Sequence, residues 1–477
     1  MTTGFDELMA IRGGAPLAEG ELALTGGDPF YPTPLRIGEA TALALAARGV
    51  AANDLWALRG HPRQQISVDC RHAAACSLYG TSLTQRRRPD GGYHGIPAAP
   101  EIAHMIEMTQ CWPAAGGGWF LPHTNLPHLE ARVLGVLGCD STVESLSAAI
   151  AGRGAAELED SVAAVHGCGG MVRSPEDWLA HPQGAYLAAR PVVEVEKIAE
   201  SAPEPLPPAA APLGGLRVLD LTRIIAGPTA GLALAEHGAE VLAVTAAHLP
   251  QVPAFFRDTS HGKRSAFLDL GRAEEAARLK ELVRGADVFL EGYRPGRLAA
   301  RGFGTADLAA LRPGIVHVSV NCFGSGGPFG GRAGWDQVAQ AVTGLAHVHG
   351  QGSGAGHPQL MPVFVCDFLA GYLAAYGTML ALARRAREGG SYRVQVSLCQ
   401  AAMFLLRRGR TEGFAGAAGA PSAAEAVAWM TEVPGTPWGD LRTLSPALGM
   451  AQTPCRWASP PPAPGQHAAA WRAEAMA

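Results

Sequence analysis

The segment after residue 216 alternates short apolar runs with stretches of helical periodicity. RVLDL at 217–221 and EVLAV at 240–244 have the length and composition of buried strands. Between them lies GPTAGLALAEHGA, which has a proline near its start and Gly238 near its end, as is typical of a helix. Strands that alternate with helices in this way predict a parallel, doubly wound sheet.

The same alternation continues towards residue 330. Further strands are predicted at 265–270, 287–293 and 313–320, with helices at 274–286 and 305–311. We therefore predict the α/β class, with a doubly wound, mostly parallel, Rossmann-like sheet.

The periodicity changes from residue 334 onward, where longer segments of helical spacing follow one another. GWDQVAQAVTGLA and DFLAGYLAAYGTMLALARRAREGG are predicted helices, YRVQVSL is a predicted strand, and CQAAMFLLRR is a further helix.

The clearest boundary in the chain is ESAPEPLPPAAAPLGG at 200–215. Its prolines disfavour both helix and strand, which predicts a semi-rigid linker. The linker separates an N-terminal part, 1–199, from a C-terminal part. A second irregular region, around 409–425, precedes a tail rich in proline and tryptophan.

An internal similarity connects the two parts. Residues 38–78 align without gaps onto 366–406, with identical residues at several positions of the two helices, such as Leu45 and Gly49. We interpret this similarity as a degenerate duplication. Glu39 then stands opposite Asp367, and we expect Glu39 to have a vestigial or surface role.

Composition excludes several classes of protein. Only 17% of residues are charged and the net charge is −4, so no basic surface for nucleic acid or membrane binding is expected. The nine cysteines form no CxxC pair and the histidines no HExxH pattern, so no metal site is expected. The N-terminus lacks the pattern of a signal peptide, and we expect a cytoplasmic protein.

One carboxylate lies in an otherwise apolar or small run. Within QLMPVFVCDFLAGYLAAYGTML, Asp367 has no basic residue closer in sequence than Arg332 and Arg384. Burial of an unpaired carboxylate costs free energy, so this aspartate requires an explanation. Spacing alone leaves two alternatives open: a helix N-cap and a nucleophile.

Basic residues follow the predicted strands where an open α/β sheet binds its ligand. The first βα turn, AGPTAG, lacks the G-x-G-x-x-G pattern of dinucleotide sites, but a helix that begins near Gly227 can receive an anion. Lys263 and Arg264 precede one strand, and Arg294 and Arg301 follow another. Together these positions predict an elongated ligand that carries phosphate groups.

With these residues placed, the C-terminal part resembles the family III CoA-transferases, of the formyl-CoA and carnitine-CoA transferase type. Five stretches carry the resemblance, in family order: RVLDLTRIIAGPTAGLALAEHGAEVLAV, GKRSAFLDL, ADVFLEGYRPGRLAARGFG, LRPGIVHVSVNCFGSGGPFGGRAGWDQVAQAVTG, and CDFLAGYLAAYGTMLALARR with EGGSYRVQVSLCQAA. The N-terminal part, through MVRSPEDWLAHPQGAYLAARPVVEVEKI, resembles the later half of that family.

The two halves therefore appear in swapped order, as in a fused or permuted member. The resemblance implies that 1–199 corresponds to the family's C-terminal half, 200–213 is the linker and 214–330 is the Rossmann-like CoA-binding part. It further implies a smaller α+β domain with the nucleophile helix at 331–409, and a closing tail at 410–477. We infer that 1–199 completes the α/β domain begun at 214–330, in the same or a partner chain.

The resemblance also assigns functions to residues. It implies that Asp367 is a nucleophile that carries CoA as a thioester between an acyl-CoA donor and a carboxylic acid acceptor. CoA is then a substrate, no tightly bound cofactor is expected, and the family suggests a homodimer. Residues expected to bind CoA or substrate are Ile225, Ala226, Gly227, Pro228, Lys263, Arg264, Arg294, Arg301 and Asp336.

Two rival interpretations follow from departures from the family pattern. The related acyl-CoA racemases use the histidine of a Gly-His-Asp triplet, but this chain has Trp335 there, which cannot exchange a proton. The strand after the first helix has Ala243 and Thr245 where the family has a base and an acid. A catalytically silent CoA-binding or scaffold subunit is therefore the main alternative. The glycines of AAGGGWF at 114–120 are expected to form either a loop over the thioester or a surface turn.

Overall fold

The computed structural model describes residues 2–78, 83–98 and 100–472. Residues 1, 79–82, 99 and 473–477, which fall within the predicted domains and tail, lie outside the described residues. Across the described ranges, three clusters of buried apolar residues organise the molecule.

Strands and helices alternate along most of the chain. The strands are β1 (Leu22–Thr25), β2 (Ile66–Asp69), β3 (Gln85–Arg87), β4 (Tyr93–Gly95), β5 (Trp112–Pro113), β6 (Trp119–Pro122), β7 (Gly169–Met171), β8 (Glu194–Ala199), β9 (Arg217–Leu221), β10 (Glu240–Thr245), β11 (Lys263–Phe267), β12 (Val288–Glu291), β13 (Val316–Asn321), β14 (Ser391–Ser397), β15 (Met430–Thr436), β16 (Gly439–Leu444) and β17 (Leu448–Met450). The helices are α1 (Thr2–Arg12), α2 (Ile37–Leu58), α3 (Cys70–Ala75), α4 (Pro100–Met108), α5 (Pro127–Leu137), α6 (Val143–Ala151), α7 (Ala155–Ala164), α8 (Pro175–Ala180), α9 (Pro182–Ala188), α10 (Ala226–Glu236), α11 (Pro253–Thr259), α12 (Ala273–Arg284), α13 (Thr305–Leu311), α14 (Asp336–Thr343), α15 (Leu345–Gly352), α16 (Val365–Glu388), α17 (Leu398–Leu406) and α18 (Ala423–Ala426).

The main sheet has seven strands in the order β11-β10-β9-β12-β13-β14-β8. All neighbours are parallel except β14 and β8, which pair antiparallel at one edge. The prediction of a doubly wound, mostly parallel α/β sheet is confirmed. Because consecutive side chains of a strand point to opposite faces, Val218 joins the core beneath α10 and α16, whereas Leu219 joins the core beneath α12 and α13.

The N-terminal part contributes to this sheet directly, because β8 belongs to it and pairs with β14 of the same chain. A separate α+β lobe, 100–171, carries α4–α7 on the small sheet β5-β6-β7 and has its own apolar core around Phe120 and Leu158. The segment 331–409, in contrast, is no separate domain. Its strand β14 lies in the main sheet and its helix α16 shares a core with α10 and α2.

Helices α2 and α16 begin two equivalent helix–strand–helix units, α2-β2-α3 and α16-β14-α17. Corresponding side chains cap the second helix of each unit: Asp69 accepts a hydrogen bond from the His72 N–H, and Ser397 accepts one from the Gln400 N–H. These pairs occupy matched positions of the alignment of 38–78 with 366–406, which supports a duplication.

The C-terminal tail runs beside the edge strand β11. The Gly262 N–H donates to the Ser459 carbonyl, and the His467 N–H donates to the Ser265 carbonyl at 2.7 Å. Farther along, the Arg264 guanidinium donates to the Ala470 carbonyl. The tail therefore covers the exposed edge of the main sheet.

Helix α16 is long and apolar enough to match the length of a membrane span. Its most apolar window is entirely buried inside the protein, where it packs between α10 and α2. Burial explains the apolar composition of this helix, since a helix buried on all sides is apolar on all sides.

Candidate active site

Asp367 is the third residue of α16. The residue that caps this helix is Phe364, whose side chain makes no capping hydrogen bond, so Asp367 is not the N-cap. The carboxyl group of Asp367 is buried and lines a cleft. Among the residues that the structure describes, no side chain donates a hydrogen bond to it and no cation pairs with it.

A second carboxylate performs the capping. Asp336, the first residue of α14, accepts a hydrogen bond from the Asp367 backbone N–H at 3.0 Å. The side-chain amide of Gln340 donates to the other oxygen of Asp336 at 2.5 Å. Burial raises the pKa of Asp336 to about 6, although these hydrogen bonds act in the opposite direction.

Burial also raises the pKa of Asp367 well above its usual range, and the nearby Asp336 charge adds to this effect. The two carboxyl groups titrate as a pair. Burial disfavours the ionised form of Asp367, and no cation among the described residues pairs with it, which makes the ionised carboxylate reactive. Its position in the first turn of α16 supplies a partial positive charge from the helix N-terminus.

The cleft around Asp367 has a volume of about 270 Å³ and lies at the carboxyl ends of the parallel strands. Leu221, Gly292 and Val320 mark the ends of β9, β12 and β13 along its floor. The α+β lobe closes the opposite side through Leu126 and Leu129 at the start of α5. The cleft therefore separates the main sheet from the lobe.

The first βα turn contributes backbone to the cleft. Ile224 has a positive φ of 76°, which is a strained conformation for a β-branched residue. Ile225 caps α10 without a side-chain hydrogen bond, and Ala226 and Gly227 follow it along the cleft wall. The N–H groups at this helix start have no intrahelical partners and are available to an anion or an oxyanion.

A larger cavity of about 550 Å³ continues from the cleft along the ends of β9, β10 and β11. Leu221 and Tyr293 line both spaces, which places them next to each other. His248 and Arg301 lie on the wall of this second cavity together with Arg297. An elongated ligand with anionic groups at one end fits this arrangement.

The structure brings some of the predicted ligand-binding residues together. Ile225, Ala226, Gly227 and Arg294 line the cleft with Asp367. Arg301 lines the adjoining cavity, where one guanidinium nitrogen also donates to the Leu270 carbonyl at 2.8 Å. Asp336 lies directly behind Asp367, beneath the cleft surface.

Three predicted residues lie elsewhere. The Lys263 ammonium is buried between the Asp220 carboxylate, at 2.8 Å, and the Pro228 carbonyl, at 2.7 Å. Arg264 lies under the C-terminal tail and pairs with Glu240 at 3.6 Å. Protein groups distant in sequence thus already pair with both cations, while Lys263 and Pro228 line a small pocket that shares Thr222, Arg223 and Ile224 with the cleft.

Two arginines of the cleft were missed from the sequence. Arg223, in the first βα turn, lines the cleft and donates to the Pro250 carbonyl, while its buried Nε has no hydrogen-bond partner among the described residues. Arg332 lies across the cleft, pairs with the exposed Asp160 and stacks over Phe329. Sequence reasoning could have found Arg223 from its position between a predicted strand and a glycine-containing turn.

The glycine-rich stretch 114–120 forms the turn of the β5–β6 hairpin. Gly116 and Gly117 have φ values of 75° and 81°, which a tight turn of this shape requires. None of these residues lines the cleft around Asp367. Of the two alternatives, a loop over the thioester and a surface turn, the structure has the turn.

Comparison with known proteins assigns the chain to a family. Residues 213–429 match the model of CoA-transferase family III. An acyl-CoA transferase of Gibberella moniliformis is 32% identical over 430 residues, which cover 83% of this chain and 74% of that protein. Since neither side of the linker contains 83% of the chain, this relative shares both parts.

A succinyl-CoA:glutarate CoA-transferase of Homo sapiens is 36% identical over 36% of this chain and 41% of its own length. The chain thus spans less than half of that relative. A crystal structure of a hypothetical protein from Mycobacterium tuberculosis has 34% identity and a TM-score of 0.39, over 42% of this chain and 57% of that one. The resemblance across most of the Gibberella protein decides the assignment: the chain belongs to the family III CoA-transferases, and is therefore an enzyme of that class.

Proposed function

We propose that this protein transfers CoA from an acyl-CoA to a carboxylic acid and that Asp367 carries the CoA between the two. One observation supports this proposal above the others. The Asp367 carboxyl group is buried at the wall of the cleft, and no cation or hydrogen-bond donor side chain among the described residues pairs with it. A purely structural acid at this depth would be expected to have such a partner.

The proposed reaction uses two exchanges at Asp367. The ionised carboxylate attacks the thioester carbonyl of the donor, which forms a mixed anhydride and releases the CoA thiolate. The thiolate then attacks the aspartyl carbonyl, which releases the donor acid as a carboxylate and leaves CoA bound to Asp367 as a thioester. An acceptor carboxylate reverses both steps and leaves as the new acyl-CoA, and the aspartate is restored.

Groups around Asp367 fit the charges that develop. Each attack produces an oxyanion, and the free N–H groups at the start of α10, near Ala226 and Gly227, lie along the same cleft. The cleft-lining cations Arg223, Arg294 and Arg332 raise the local positive potential for the anionic substrates.

The adjoining cavity fits the nucleotide end of CoA. The two spaces adjoin at Leu221 and Tyr293, so an elongated molecule that spans both can place its thiol end near Asp367. The imidazole of His248 and the guanidinium groups of Arg297 and Arg301 then lie near the other end, where CoA carries its phosphates. We also propose a homodimer, which the family resemblance suggests and sedimentation would test.

The experiment is to trap the covalent adduct. The protein is incubated with acetyl-, butyryl-, succinyl- or palmitoyl-CoA without an acceptor and then treated with hydroxylamine, which converts an aspartyl thioester into a hydroxamate. Peptide mass spectrometry is expected to find the hydroxamate on Asp367 with at least one donor. The Asp367→Asn variant should bind CoA and give no hydroxamate.

The rival is a CoA-binding protein without transferase activity. It predicts that CoA binds to the wild-type protein while Asp367 stays unmodified with every donor. That result would overturn the proposed function.

A further inference from the structure

A separate cavity of about 90 Å³ lies on the other side of Ile225 from the cleft. Ile225 lines both spaces, so they adjoin at this residue. Four residues of the first βα unit, Ile225, Thr229, Leu232 and Glu236, form one wall, because their spacing places them on one face of α10. Helix α16 forms another wall through Phe368 and Tyr372.

The opposite wall comes from the N-terminal unit of the duplication. Leu45 and Arg48 of α2 line the cavity, and the loop 443–447 closes it. The cavity is therefore built from both units, and Asp367 directly precedes a residue that lines it, Phe368.

Several polar groups that line this cavity are deeply buried. Arg48 and Glu236 form a buried ion pair with an N–O distance of 2.9 Å. Both ring nitrogens of His261 are buried without a hydrogen-bond partner among the described residues, and so is the hydroxyl of Thr229. Burial lowers the pKa of His261 to about 3, so this imidazole is neutral. Native interiors seldom leave such groups unpaired, so this part of the cavity wall differs from ordinary packed core.

We infer that this cavity receives the acyl chain of the donor, and that the Arg48–Glu236 pair makes it selective for short, uncharged chains. This inference rests on the proposed function of Asp367. The thioester carbon would lie in the cleft at Asp367, and the rest of the acyl group would pass Ile225 into the cavity.

The volume of the cavity limits the length of the acyl chain that it can hold. At about 30 Å³ for a carbon-sized group, the cavity holds about three such groups, which corresponds to a four- or five-carbon acyl chain. Tyr372 lies five residues after Asp367, or about 7.5 Å along the helix axis, and the Arg48 guanidinium lies 5.5 Å from the Tyr372 ring. The ion pair is thus near the end of such a chain.

The Arg48–Glu236 ion pair determines whether the cavity accepts a charged or an uncharged acyl group. Glu236 already pairs with Arg48, and Arg257 already pairs with the lining carboxylate of Asp258, so the described lining offers no unpaired cation to a second carboxylate. A succinyl group would place its terminal carboxylate beside the buried carboxylate of Glu236, which is electrostatically unfavourable. A butyryl group of the same length has a methyl group at that position, which suits Leu45 and Phe368.

The first test changes the volume. Ala447 lines the cavity in the closing loop, and Ala447→Phe would fill it, whereas Ala451→Phe changes an exposed residue of the same segment. We expect Ala447→Phe to lower the rate of adduct formation with butyryl-CoA at least tenfold and with acetyl-CoA less than twofold. The Ala451→Phe control should change neither rate. Equal effects of Ala447→Phe on both donors would overturn the inference.

The second test changes the charge. The wild-type protein should form its adduct at least tenfold faster with butyryl-CoA than with succinyl-CoA. Glu236→Gln leaves Arg48 uncompensated, so the ratio of the succinyl to the butyryl rate should rise at least tenfold. The double variant Arg48→Met/Glu236→Leu removes both charges and should keep the preference for butyryl-CoA.

The outcomes separate the two proposals. If no donor gives an adduct with the wild-type protein, the proposed function fails. If adducts form but succinyl-CoA reacts as fast as butyryl-CoA, only the acyl-cavity inference fails. If Glu236→Gln does not fold, the double variant tests the charge argument instead. A change in its donor preference from butyryl-CoA towards succinyl-CoA would overturn the inference.

Discussion

Two helices of this protein begin in the same way and differ in one neighbour. In α16, the third residue is Asp367 and the carboxylate of Asp336 accepts its backbone N–H. In α2, the third residue is Glu39 and the carboxylate of Asp28 accepts its backbone N–H at 2.8 Å. Both helices therefore present an acid in the first turn and are capped by a second acid from elsewhere in the chain.

The difference lies at the N-cap. Arg36 caps α2 and pairs with Glu39 at 2.9 Å, whereas Phe364 occupies the matching position before α16 and provides no charge. The paired acid is neutralised, and the unpaired acid has a raised pKa and faces a cleft. The comparison indicates that, in a duplicated framework, the residue at the N-cap decides whether the first-turn acid is available for chemistry.

The largest expected effect follows from removal of the unpaired acid. Asp367→Asn keeps the size and position of the side chain but removes the proposed nucleophile, so the transfer rate should fall by at least about a thousandfold. The measurement is steady-state CoA transfer with the best donor. Glu39→Gln, the matched change in α2, should leave the rate within twofold, and an equal loss in both variants would end the distinction between the helices.

The second prediction transfers the α2 arrangement to α16. Phe364→Arg should place a guanidinium beside Asp367, lower its pKa and make the carboxylate a weaker nucleophile, with a rate about tenfold lower at pH 8. Adduct formation measured by mass spectrometry from pH 5 to 8.5 should lose its rise with pH. Phe364→Leu is the uncharged control and should retain the wild-type profile.

The third prediction concerns the capping acid. Asp336→Asn removes a negative charge that raises the pKa of Asp367, so the rise of the rate with pH should begin at a lower pH. One hydrogen bond to Asp336 is also lost, which should cost about 1–3 kcal/mol of unfolding free energy. Asp160→Asn removes an exposed carboxylate near the cleft and should leave the pH profile in place.

The fourth prediction is a dependence of stability on pH. Because the folded protein holds the Asp367 proton more tightly than the unfolded chain, this group stabilises the fold fully below its usual pKa of 3.8. That contribution is lost as the pH rises through the raised pKa, by about 1.4 kcal/mol for each pH unit that separates the folded from the unfolded pKa. Urea unfolding at pH 5 and 8 should show a larger loss for the wild type than for Asp367→Asn. Parallel losses would contradict the burial argument.

The smallest effect is expected at α2, where Arg36 pairs with the acid of the first turn. Arg36→Phe removes the partner of Glu39, and since both side chains retain some exposure, the cost should be at most about 1 kcal/mol. CoA transfer should be unchanged. A hydroxamate on Glu39 in this variant would mean that the N-cap alone had kept α2 inactive.

Much of the fold followed from periodicity. The strands β9–β13 and the helices between them lie close to their predicted positions because each buries an apolar face of regular spacing. The α+β lobe was missed since its strands are too short to show alternation; β5 has two residues and β7 is Gly-Gly-Met. The duplication was visible because the two units still share identical residues in register.

The site was less accessible to sequence reasoning. Asp367 was recognised by an apolar environment that is local in sequence, whereas the partners of Lys263 and Arg264 are not. Asp220 precedes Lys263 by 43 residues and Ala470 follows Arg264 by 206 residues. Whether a cation faces a ligand or a protein group depends on such distant neighbours, which only the three-dimensional structure reveals.

The tail beside β11 has a consequence for association between molecules. A free strand edge is a template on which another chain can add, and long flat edges of this kind promote aggregation. The prolines at 460–462 lack N–H groups and cannot donate to a further strand, and the residues on either side of them form hydrogen bonds at Gly262 and Ser265 beside β11. The proline-rich tail thus blocks the addition of a strand from another molecule at this edge of the sheet.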